Sequence, residues 1–158
     1  MYKRDRRRGA ALFIAGGLAI AVCLALIGFF VHILVLRTEY RAFCMEVNEA
    51  VLAARGTQMT VERGGESWPM SMAVLDYYNQ NLMASKTIVF NRKSAEPDAK
   101  SITLRFSGSA LTFTGQEDGT RINLRWESGG KTRSYTVRSE DITFMQYSAY
   151  LSNYIRKL

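Results

Sequence analysis

"SITLRFSGSALTFTGQEDGTRINLRWESGGKTRSYTVRS", residues 101–139, contains four runs in which apolar and polar side chains alternate. Ile102, Leu104 and Phe106 alternate with Thr103 and Arg105, and Leu111 and Phe113 with Thr112 and Thr114. Ile122, Leu124 and Trp126 are interleaved with Arg121, Asn123, Arg125 and Glu127, and Tyr135 and Val137 with Thr136 and Arg138. Successive side chains of a strand point to opposite faces, so each run reads as a strand with one dry and one wet face. The breaks, SGS, GQEDG and SGGK, are short and rich in turn residues, which predicts an antiparallel meander.

The dry face needs a cover, and the flanking sequence offers helices. "SMAVLDYYNQNLMAS" (71–85) reads as a helix with Ser71 as N-cap and Val74, Leu75, Tyr78 and Leu82 on its apolar face. A C-terminal helix is expected from about Asp141. Ser139, Glu140 and Asp141 supply its cap and dipole partners, and Phe144, Tyr147, Leu151, Tyr154 and Leu158 its stripe. Upstream, Met59 and Val61 alternate before Gly64-Gly65, a two-residue hairpin turn whose return leg stops at Pro69. "KTIVFNRK" is a further strand and "SAEPDAK" an exposed loop. The fold class is α+β: one antiparallel sheet with helices on one face.

The N-terminal part has a different composition. From Ala10 to Leu36 there are 27 residues without a formal charge, and His32 is the only strongly polar one. As a helix this run reaches roughly 40 Å, enough to cross a hydrocarbon core of about 30 Å with some tilt. Ala19-Ile20-Ala21 resembles a cleavage site, but a further apolar stretch follows it. Val22 before Cys23 does not suit a lipoprotein signal, and Arg6-Arg7-Arg8 lacks a twin-arginine context. The run therefore reads as an uncleaved signal-anchor.

Of the net +7, +4 sits in the first eight residues, five basic side chains against Asp5. Positive charge stays on the cytoplasmic side, so a single-pass protein with a cytoplasmic N-terminus and an extracytoplasmic C-terminal domain is expected. The remaining +3 is no nucleic-acid footprint. The expected boundaries are a basic tail at 1–9, a transmembrane helix at 10–36, a stalk helix at 37–56 and an α+β domain at 57–158. Tyr40, Phe43, Val47, Ala50 and Ala54 form the stalk's stripe, in phase with Phe29, Ile33 and Leu36. That stripe serves either self-pairing or packing on the domain.

Chemistry is marked mainly by what is missing. No histidine and no cysteine pair stands beyond the apolar run, which removes the usual zinc sites and most nucleophile–base pairs. No phosphate-binding glycine loop joins a strand to a helix. The acids Glu96/Asp98 and Glu117/Asp118 fall in loops rather than on rigid walls. No enzyme activity, metal or cofactor is expected, and a membrane-tethered hydrolase is disfavoured.

Three weaker features remain. Arg105, Arg121, Arg125 and Arg138 share the wet face with several threonines, a surface suited to an anionic partner or wall polymer; the alternative is an ordinary solvated sheet. Gly17, Ala21 and Ala25 fall on one helix face where a second helix could approach, giving a homodimer or a partner helix. Cys44 on the stalk is either an intermolecular disulfide or a buried thiol. Two function readings follow: a membrane-anchored module binding a protein or cell-surface partner, or an accessory subunit whose span makes the main contact.

Overall fold

The computed structural model describes residues 2–82, 86–93 and 96–158, and the chain divides into two compact units, Met1–Arg37 and Thr38–Leu158. Helix α1 runs from Tyr2 to Ala53, so its first part belongs to the first unit and residues 38–53 to the second. The expected helix end at 83–85, the loop residues 94–95 and the side chains of the basic tail lie outside the described residues.

The first unit is helical. Gly16–Ala53 is long and apolar enough to cross a membrane, and none of its most apolar window is buried within the protein. Leu18, Ile20, Leu24, Phe30 and Leu34 are each more than 60% exposed. A fully buried aliphatic side chain gains about 1.5–3 kcal/mol over an exposed one, so water is a poor environment for this row and lipid a good one.

The second unit is α+β. Its strands are β1 (Thr60–Arg63), β2 (Glu66–Pro69), β3 (Thr87–Asn91), β4 (Ile102–Phe106), β5 (Ser109–Gly115), β6 (Ile122–Ser128) and β7 (Lys131–Ser139). Its helices beyond α1 are α2 (Met72–Leu82) and α3 (Phe144–Ile155). All pairings are antiparallel, in a seven-stranded sheet of order β2-β1-β4-β5-β6-β7-β3. The meander from β4 to β7 is the expected one. In the β4–β5 turn, Ser107 (φ 50°) and Gly108 (φ 71°) are both left-handed, the geometry that matches strand twist in a two-residue hairpin.

Register places Leu104, Leu111 and Trp126 in one cross-strand row, and Ile102, Phe113, Leu124 and Tyr135 in the next. All are buried. Three helical segments cover this face. From α1, Tyr40, Phe43, Cys44, Val47 and Val51 are buried, as is Ala54 just after it, so this stripe packs on the domain, the second of the two uses its pattern allows. Val51 takes the place expected of Ala50, which is half-buried. Helix α2 buries Val74, Leu75, Tyr78 and Leu82 as its pattern predicts. The Tyr78 ring stacks on Tyr147 of α3 at 4.8 Å, and its hydroxyl donates to the Tyr147 carbonyl at 2.9 Å.

Two expectations are refined. Helix α3 starts at Phe144, with Thr143 as N-cap and Gln146 closing a capping box, three residues after the expected start. Ser139 instead accepts from the amides of Asp141 and Ile142 and shapes the approach. The second concerns β3, which pairs with β7 at the far edge although it precedes β4 in sequence. Between β2 and β3 in sequence α2 packs on the apolar face, and Lys93, Glu96 and Ser101, between β3 and β4 in sequence, lie against the polar face.

Candidate functional site

The polar face of the sheet is the first candidate, and register brings the expected residues onto it. Arg105 on β4 faces Ala110, which faces Glu127, while Arg125 on β6 lies between Thr112 and Ser134. Arg121 and Arg138 flank the pair Ile122–Val137. Three of the four arginines have internal counterions. Arg105 pairs with Glu62 at 2.7 Å, which raises the guanidinium pKa further. Arg125 pairs with Glu96 at 3.1 Å and with Glu127 at 2.8 Å. Arg121 lies 3.6 Å from Asp118, with its guanidinium 4.4 Å from the centre of the Phe90 ring. Arg138 is exposed and has no ion pair among the described residues.

Residues 92–93 and 96–101 lie against this face as a strap. The Lys93 carbonyl accepts from Thr136 Oγ1 at 2.7 Å on β7, Glu96 reaches Arg125 on β6, and Ser101 Oγ meets Thr114 Oγ1 at 2.8 Å on β5. Thr112, Thr114, Asn123 and Thr136 are consequently buried although they belong to the wet side of the alternation. The strap end is held by Asp98, whose carboxylate accepts from Ser101 Oγ at 2.8 Å and from the Lys100 amide at 3.0 Å. The Ser101 hydroxyl is the main cause that holds the Asp98 carboxyl below the usual range.

At the hairpin end, an open groove of about 670 Å³ is lined by Thr60, Arg105, Ser109, Glu127 and Lys131 among others. Among the described residues Glu127 is the only acid on its lining. Among the described residues no group of three or more histidines, cysteines or carboxylates is placed to hold a metal.

Cys44 is 6% exposed. Its Sγ lies 3.8 Å from the Leu82 carbonyl, which also accepts from the Tyr40 hydroxyl at 3.2 Å. Burial pushes the thiol up from an ordinary 9.0 to about 11, so it is protonated at neutral pH. A bridge to another chain would first have to turn this thiol out of the core. Gly17, Ala21 and Ala25 are exposed on α1, and nothing lies within 4 Å of a Cβ built at Gly17.

Alternation alone did not reveal the strap, because the sequence carries no sign of which strands it joins in space. It also did not reveal Glu46, which accepts from Trp126 Nε1 and pairs with Arg133. An acid at an inward-leaning position of an otherwise apolar stripe was the available signal. No protein family matches the chain, and neither curated proteins nor solved structures show a significant likeness to it.

Proposed function

We propose that this is a single-pass membrane protein that presents a small, non-catalytic α+β interaction module on the extracytoplasmic side. The observation that carries the reading is the apolar run of α1. The side chains of residues 16–35 are all exposed, and the run is preceded in sequence by a cluster of cations. The domain's chemistry supports the non-catalytic part of the reading: its buried polar groups are mostly spent on structure, three of the four arginines of the polar face are neutralised internally, and the buried Cys44 thiol is protonated.

The accessory-subunit reading rests on the open face at Gly17, where close helix approach is sterically free. Crosslinking of the full-length protein in its own membrane, followed by mapping of the crosslinked residues, tests both. Crosslinks on residues 38–158 support the module, crosslinks confined to the span support the accessory subunit, and a chain with no crosslinked partner contradicts both.

A further inference from the structure

The two edges of the sheet are finished differently. At one edge, β2 is four residues long, carries Glu66 and ends in Pro69, and the Pro69 carbonyl accepts from the Tyr154 hydroxyl at 3.1 Å. A charge, a proline and a covering side chain are the usual means of keeping an edge from pairing. At the other edge, β3 is Thr87-Ile88-Val89-Phe90-Asn91, with neither charge nor proline. Every residue of it is half-buried or exposed, and Ile88 is 40% exposed. Beyond its pairing with β7, no backbone hydrogen bond engages β3 among the described residues. The bulge between Val89 and Asn91 leaves Thr87–Val89 in regular register.

Charge around this edge selects the occupant. Lys86 precedes β3, and Arg92 and Lys93 follow it. Arg138 lies opposite Ile88. Two of the nearby carboxylates are already engaged, Glu39 with Arg92 at 2.7 Å and Asp118 with Arg121. Glu140, next after the Thr87–Ser139 pair, is an exposed acid at the Lys86 end of the edge with no ion pair among the described residues, and the cations outnumber it. Lys86, Lys93 and Arg138 have no ion pair among the described residues. A second copy pairing antiparallel through β3 would set Lys86 against Arg92 and Lys93 of its partner, a repulsive arrangement.

The geometry points to β3 as a strand-addition site for an extended segment of a partner protein, apolar at alternate positions and acidic at its ends. Backbone hydrogen bonds to the open edge supply affinity, Ile88 and Phe90 the apolar contact, and the three cations selectivity for acidic sequence. This deepens the interaction-module reading and depends on it for its biological meaning.

The test uses purified full-length protein in detergent and a short capped peptide with a valine–threonine centre and glutamates at both ends. Amide exchange of residues 87–91 and a fluorescence titration are followed. The expected result is binding with slowed exchange at β3, weakened about tenfold by Lys86→Glu with Arg138→Glu and unaffected by Lys131→Glu at the hairpin end. A peptide N-methylated at alternate amides should not bind, and one with lysines for glutamates should bind far more weakly. No binding, or equal binding of the N-methylated peptide, overturns the proposal. So does protection of β3 that grows with protein concentration without peptide, which would assign the edge to a second copy. Detergent has no sidedness, so failure here leaves the anchor and its orientation untouched, and crosslinks elsewhere on the domain would keep the module while removing this site.

Discussion

Glu46 on α1 and Trp126 on β6 meet between helix and sheet: the indole Nε1 donates to Glu46 Oε1 at 3.1 Å, while Oε2 pairs with Arg133 at 2.9 Å. Trp126 is 1% exposed, so this carboxylate satisfies the one polar atom of the largest core side chain. Glu46→Ala should lower stability by about 1–3 kcal/mol, the cost of leaving a buried donor unpaired. Glu46→Gln keeps an acceptor and should cost less than half of that, since the Arg133 pair is partly exposed. Thermal unfolding of the full-length protein in detergent measures both.

Gly115 is required by packing. A Cβ built there would run into the ring of Phe144 at the start of α3. Gly115→Ala should destabilise by about 1–3 kcal/mol, as overpacking does. The same change in a Phe144→Leu background should cost clearly less, and a double-mutant cycle on unfolding free energies reads the coupling.

Cys44 should resist alkylation in the folded protein at neutral pH and react once the chain is denatured. Its folded pKa of about 11 lies above the ordinary 9.0. The neutral thiol therefore contributes stability that is fully present below pH 9 and is lost as pH rises toward 11. Mass-spectrometric counting of alkylated thiols across that range checks it.

Asp98 has the opposite sign. Its folded pKa is depressed, first by the Ser101 hydroxyl, so its contribution is present above the usual carboxylate range and is lost as pH falls through the lowered value. The protection factor of the Lys100 amide, its exchange rate corrected for the intrinsic pH dependence, should fall as Asp98 is protonated, and Asp98→Asn should remove that pH dependence.

Alternation carried most of the fold. The rows from Ile102 to Val137, the Gly64-Gly65 turn and the apolar face of α2 all stand where period and turn chemistry put them. What alternation leaves open is strand order. Nothing in TIVFN says that it pairs with β7 instead of β4, because that choice is made by α2 crossing the apolar face. The polar face was legible as a row of arginines and threonines, but its neutralisation was not. Glu96 reaches Arg125 from a strap 29 residues away in sequence. Helix α3 starts later than Ser139 and Asp141 suggest, because the reciprocal capping bonds belong to Thr143 and Gln146.

The anchored, outward-facing domain is tested most directly by a cysteine at the exposed start of β7, beside the β6–β7 turn. Native Cys44 is too buried to report sidedness, so Lys131→Cys serves instead. A membrane-impermeant maleimide applied to intact cells should label this variant without lysis, leaving the parent chain unlabelled. Labelling that appears only after the membrane is permeabilised would place the domain in the cytoplasm and contradict the account.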